Sequence, residues 1–131
     1  MNSEIYYLRL ALTAIVSTLS WVFGGFDLLF RALIALMVLD YISGIIVAIR
    51  MKQVSSIVGF KGLAKKLMIF IMVAVSNLID MVILGESNIC RALTIAFYSA
   101  NEAISILENA TQLGLPLPEK LKAVLEQVKK K

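Results

Sequence analysis

Four long apolar runs, separated by short polar links, limit what this chain can fold into more than any other feature. They cover residues 5–23, 29–49, 67–84 and 89–107. Each is close to the ~20 helical residues that cross ~30 Å of hydrocarbon. A soluble domain needs a charged surface to wrap such material. Here 60% of the 131 residues are apolar and only 17% are charged, with the charges gathered in two short stretches, so the apolar surface has no place in water. The expected fold is a single all-α integral membrane domain of about four transmembrane helices.

The links set the order of the helices. Gly24, Gly25, Phe26 and Asp27 join the first two runs, and Gly85, Glu86, Ser87 and Asn88 join the last two. Short turn-forming connections of this kind predict two helical hairpins. Between the hairpins, residues 50–66 carry Arg50, Lys52, Lys61, Lys65 and Lys66 with no acidic residue, and they are expected to form a basic cytoplasmic loop. The tail adds Lys120, Lys122, Lys129, Lys130 and Lys131. Positive charge marks the inner side of a membrane protein, and two spans between the basic stretches satisfy that rule, which predicts N-in, C-in topology. The fourth run is the most polar, leaving a three-span alternative in which one segment lies in the interface or in a partner-filled pore. Beyond Pro116 and Pro118, which interrupt the helix, Leu117, Leu121, Val124, Leu125 and Val128 recur at helical spacing. This predicts an amphipathic tail helix over 117–131, lying on the inner leaflet or docked to the bundle.

Several activities are disfavoured by composition. The net charge of +4 comes without the aromatic and hydrogen-bonding readers of a nucleic-acid face, so the charge reads as a topology determinant that meets anionic lipid. With one cysteine, Cys90, and no histidine, neither an internal disulfide nor the usual zinc, haem or Cys/His sets can form, and no cofactor is expected. No nucleophile and base pair suggests an enzyme. An intramembrane aspartyl protease needs YD and GxGD contexts that Asp40 and Asp80 lack. The first run has no basic n-region or small-residue cleavage site, so it is expected to remain as a span.

Polar residues inside the runs are candidates for function, because ionisable groups in hydrocarbon need a partner or a watery lining. Asp40 shares a face with Gly44 and Ala48, a small-residue pair that lets helices approach closely, within the monomer or between copies. In the fourth run Thr94, Tyr98, Asn101, Ser105 and Glu108 form a stripe at helical spacing, with Glu102 and Asn109 beside it. Arg9, Thr13, Ser17, Ser20 and Gly24 form a similar line in the first. Both stripes are expected to face helices or water. Equal depth suggests pairing of Arg9 with Glu102, and of Asp80 with Arg31 or Arg91. Lys65 and Lys66 are expected to snorkel at the inner end of the third span, with Gly59 and Gly62 making turns before them.

Three blocks carry a resemblance. They are Asp40, Gly44 and Ala48 in DYISGIIVA, then Ser56, Gly59, Gly62, Leu63, Lys65 and Lys66 in SIVGFKGLAKK, and Phe97, Asn101, Glu102, Ser105, Ile106, Leu107, Glu108 and Asn109 in FYSANEAISILEN. Gly114, Pro116 and Pro118 complete a pattern that resembles the toxin-secretion and phage-lysis holins over almost the whole chain. The resemblance implies a homo-oligomer in the bacterial cytoplasmic membrane that opens lesions for an endolysin or toxin, which crosses as cargo. With no methionine between Met1 and Met37, a dual-start timer is not evident. A small proton- or cation-coupled transporter or channel using Asp40 or Glu102 is the main alternative, and a membrane adaptor working through the tail helix is another.

Overall fold

The computed structural model describes residues 2–85 and 87–130, except the side chain of Lys129. It is all-helical: α1 (Ser3–Phe23), α2 (Leu28–Arg50), α3 (Ser56–Val82), α4 (Ile89–Gln112) and α5 (Glu119–Lys129). The sequence expectations about Glu86, Lys131 and the Lys129 side chain lie outside the described residues. Helices α1, α2 and α3 are long and apolar enough to cross a membrane. α4, at 24 residues, is as long but carries Arg91, Glu102 and Glu108.

Local chemistry explains where the helices stop and start. α1 ends at Gly24, which takes a left-handed φ of 83° while the Gly25 N–H returns to the Ser20 carbonyl at 2.8 Å. This is the Schellman arrangement, which glycine adopts without a Cβ penalty. Asp27 then starts α2 by accepting from the Phe30 N–H at 3.0 Å, and Ser55 starts α3 by accepting from Val58 N–H at 3.1 Å. The Ser55 cap corrects the expected 50–66 loop: only residues 51–55 are non-helical, and 56–66 form the opening turns of α3. Gly59 and Gly62 are helical, and Tyr41 of α2 lies against the positions their Cβ atoms would take. They pack beside that ring as helix positions instead of making turns.

The links between α1 and α2 and between α3 and α4 lie at one end of the bundle, the link end. The 51–55 loop and α5 lie at the other, the tail end. α2 and α4 pack most extensively, and α3 packs on α4. Phe30, Leu33 and Met37 of α2, Ile69 and Val73 of α3 and Ile95 of α4 form the core. Phe23 stacks on Phe30 with ring centroids 5.2 Å apart, and both meet Phe70 edge-on.

Whereas α3 and α4 form a packed hairpin, α1 leaves its turn and packs through its C-terminal end on α3, meeting α2 only near the link. No residue of α1 is buried. α5 docks on α4 by burying Leu125, while Lys120 and Lys122 stay exposed.

Candidate functional site

Two polar clusters hold the bundle, one at each end. At the link end the Arg91 side chain is 1% exposed. Its Nη1 and Nη2 donate to the two Asp27 carboxylate oxygens at 2.8 and 3.1 Å. Its Nε donates to the Phe23 carbonyl at 2.6 Å and Nη2 also to the Gly25 carbonyl at 2.9 Å. The Asn77 amide donates to the Trp21 and Val22 carbonyls at 3.1 and 2.9 Å. Thus a cation and an amide satisfy the orphan carbonyls where α1 ends, the negative end of its dipole. The hydrogen bond from Arg91 holds the Asp27 carboxyl below its ordinary value.

Gly24 is central to this clamp. A Cβ there would lie 2.5 Å from Asn77 Oδ1 and 2.6 Å from Arg91 Nε. Gly24→Ala is expected to destabilise the protein by about 1–3 kcal/mol from left-handed strain, with added loss from the displaced donors. The thermal unfolding midpoint in detergent tests this; an unchanged midpoint would contradict the clamp.

Asp80 lies in the same region, 1% exposed, but the expected pairing with Arg31 or Arg91 takes another form. Its oxygens accept from the backbone N–H groups of Cys90 and Arg91 at 3.0 and 2.8 Å. A carboxylate from α3 therefore caps α4, whose own Asn88 makes no side-chain cap. Arg31 instead reaches the Asp27 carbonyl at 3.4 Å.

The second cluster lies toward the tail end. Lys66 Nζ donates to Asp40 Oδ2 at 2.9 Å and to Glu102 Oε2 at 2.7 Å. Asn109 Nδ2 donates to Ser43 Oγ at 2.8 Å and to Asp40 Oδ1 at 3.3 Å. This joins α2, α3 and α4 through one ammonium and two carboxylates, all largely buried. Two expectations are corrected here. Lys66 does not snorkel, because two carboxylates from neighbouring helices hold it. Glu102 takes Lys66 in place of Arg9, which is exposed on α1, a helix that does not pack against α4.

Above the triad is a cleft of about 430 Å³. Its walls include Gly44, Ala48, Gly59, Gly62, Lys65 and Ser105 beside the triad itself. The structure therefore brings Asp40, Gly44, Ala48, Lys65, Lys66, Glu102 and Ser105 together from three separate sequence blocks. It does not bring in Arg9, Asp80, Thr94, Asn101 or the exposed Lys61. Tyr98 packs on the core, and Thr94 lines a separate hollow beside Ser76 and Cys90.

The expected stripe on α4 is rotated. The inward line runs Arg91, Ile95, Tyr98, Glu102, Ser105 and Asn109, roughly 60° from the all-polar line at 100° per residue, and Asn101 is exposed. Ion pairing drew Glu102 inward, and the apolar Ile95 lies on the same line as the charges. Arg91, Asp27 and Asn77 were missed as a cluster. The available signal was that Asp27 and Arg91 both flank helix starts at the same end.

A family model for the bacteriophage holin family matches residues 17–130. Among curated relatives, the uncharacterized protein Lin0175 of Listeria innocua is 42% identical over 118 residues, covering 90% of this chain and 84% of the relative. The uncharacterized protein Lmo0128 of Listeria monocytogenes is 47% identical over 105 residues, covering 80% and 74%. An uncharacterized 14.9 kDa protein in the nagH 3' region of Clostridium perfringens is 34% identical over 131 residues, covering 100% and 99%. No solved structure matches. With the match spanning most of a chain whose helices are built to cross a bilayer, this multi-pass membrane protein belongs to the bacteriophage holin family.

Proposed function

We propose that the chain is a holin that accumulates in the bacterial cytoplasmic membrane, N-in and C-in with four spans, and assembles with itself to open lesions for an endolysin or toxin. The observation that carries this reading is α1. It is a helix of 21 residues with none buried, and it presents Arg9 on its exposed surface. A span-length helix with no buried residue leaves a whole face, including the exposed Thr13 and Ser17, for close packing with further copies in lipid. Asn101, exposed on α4, adds a second polar group to the lipid-facing surface. The endolysin or toxin needs no binding site in this scheme, because it crosses as cargo. The family consists of non-enzymatic membrane proteins, and neither polar cluster pairs a nucleophile with a base.

The buried triad supports one alternative, a small proton- or cation-coupled transporter or channel. The two readings differ in what passes. Controlled expression beside a cytoplasmic muralytic enzyme lacking an export signal is expected to give abrupt lysis and enzyme release after a delay. Asp40→Leu and Glu102→Leu variants that still insert are expected to abolish lysis. Intact cells despite abundant inserted protein would favour the transporter.

A further inference from the structure

We propose that the outer seam between α3 and α4 receives the outward face of α1 from a second copy of this chain, with the incoming helix antiparallel to α4. The inference rests on the holin reading only in taking the chain to associate with itself. What it adds is which surfaces meet.

The two surfaces lie on opposite sides of the molecule. Phe23 turns α1 toward its own bundle by stacking on Phe30, and Ala14 lies about 180° round the helix from Phe23 at 100° per residue. The outward face is therefore Tyr7, Ala11, Ala14, Thr18 and Trp21, at spacings of four and three, and all five are exposed. On the other side, Met72, Val75, Ser76 and Ile79 of α3 line a hollow of about 290 Å³ with Cys90, Leu93 and Thr94 of α4. Those α3 residues lie about 100–160° round the helix from Asn77, which holds the end of α1. The chain's own α1 thus stands away from the seam, and a second copy's is free to enter it.

Depth and size agree along the whole contact. The Phe23 carbonyl accepts from Arg91 at 2.6 Å, so these two residues mark one level at the link end. Counted from Phe23, residues Trp21, Thr18, Ala14, Ala11 and Tyr7 lie 2, 5, 9, 12 and 16 positions along α1. Counted from Arg91, residues Thr94, Phe97, Asn101, Ile104 and Glu108 lie 3, 6, 10, 13 and 17 positions along α4. Copies inserted in the same orientation therefore match in five layers, each offset by one residue or about 1.5 Å. In four of them a larger side chain meets a smaller one: Trp21 faces Thr94, Phe97 faces Thr18, Asn101 faces Ala14 and Ile104 faces Ala11. Alternating spacings of three and four on both helices are the pattern of a continuous helix–helix seam.

Polar groups favour this occupant over lipid. Asn101 is exposed about 15 Å along α4 from Arg91, half of the ~30 Å of hydrocarbon, where an amide needs a partner. The small Ala11 and Ala14 let the incoming backbone approach closely, which sets the amide against carbonyl oxygens that keep a spare lone pair. In the fifth layer the Tyr7 hydroxyl, on a side chain 66% exposed, is a donor level with the Glu108 carboxylate, and a bond of that kind is charge-assisted. Such a contact is heterologous: each copy offers a helix to one neighbour and a seam to another. Contacts of this type close into rings or extend as open arrays, and either can border a lesion.

The test uses two differently tagged full-length copies in one membrane, both Cys90→Ser, one carrying Thr18→Cys and the other Phe97→Cys, with oxidation before any lysis. The expected product is the mixed dimer between the two tags. Ala14→Trp on the Thr18→Cys copy overfills the closest layer and should lower the yield by about tenfold, while its exposed position leaves that copy's own fold intact. Tyr7→Phe on the same copy removes only the hydroxyl and should lower the yield by about threefold. No mixed product when both copies insert, a product joining only like copies, or a yield insensitive to Ala14→Trp would each overturn the inference. Because the readout is the cross-link and not lysis, its failure is distinguishable from failure of the holin reading. Lysis without the mixed dimer removes only the interface, and the mixed dimer without lysis removes only the holin.

Discussion

Replacing Arg91 with methionine is expected to destabilise the protein by about 1–3 kcal/mol for each carbonyl acceptor it leaves unsatisfied, and to free α1 from the bundle. The side chain is 1% exposed and makes bonds to Asp27, Phe23 and Gly25. Its loss strands two backbone carbonyls and releases the carboxylate that caps α2. Arg91→Lys keeps the charge but cannot reproduce the two-pronged contact with Asp27, so it is expected to recover only part of the loss. Thermal unfolding in detergent measures the first effect, and protease cutting in the 24–27 link measures the second. A normal midpoint with an uncut link would refute the clamp.

The same clamp has an acid dependence of fixed sign. Asp27 titrates below its ordinary value of 3.8 in the folded protein because Arg91 hydrogen-bonds its charged form. A lowered folded value means that the contribution is fully present above the unfolded value. It is lost as pH falls through the depressed one. Since Asp27 remains 45% exposed, solvent screens this effect and the acid limb should be shallow. Arg91→Met should weaken that limb, leaving the part owed to the Phe30 N–H that Asp27 still accepts.

The helices were legible because the bilayer imposes a length and an apolar composition that few other folds share. The motif blocks were legible as separate patterns, and Asp40, Gly44, Lys66, Glu102 and Ser105 prove to meet at one cleft. What the sequence withheld was azimuth and partner. Glu102 and Asn101 are adjacent on a polar helix, and only a lysine arriving from α3 decides that Glu102 turns inward and Asn101 outward. Lys66 in turn belongs to a run that reads as a basic loop. Ser55 caps a helix before it, so Lys66 sits on α3 within reach of two carboxylates. Depth alone suggested that Arg91 pairs with Asp80. Both lie at the link end, but Asp80 spends its oxygens on backbone N–H groups and leaves the guanidinium to Asp27. Matching levels find candidates for pairing, whereas the rotation of each helix decides among them.

Lys66→Met is expected to do comparable damage at the opposite end. Lys66 is the sole cation among the described residues to contact both Asp40 and Glu102, at 2.9 and 2.7 Å, so its removal leaves two carboxylates facing each other between three helices. Breaking a buried pair from one side costs about 3–5 kcal/mol. Like-charge repulsion adds to this, so the variant should insert poorly or unfold at lower temperature. The matching neutral variant, Asp40→Asn with Lys66→Met and Glu102→Gln, removes all three charges together and should recover most of that stability, since a charge-free cluster leaves no ion uncompensated. Lysis then separates structure from function. If the triad serves only to hold α2, α3 and α4 together, the neutral variant should lyse cells as the parent does. If its charges take part in assembly or in opening the lesion, the neutral variant should insert normally and fail to lyse. A Lys66→Met protein that inserts, unfolds and lyses like the parent would show that the triad is dispensable to both.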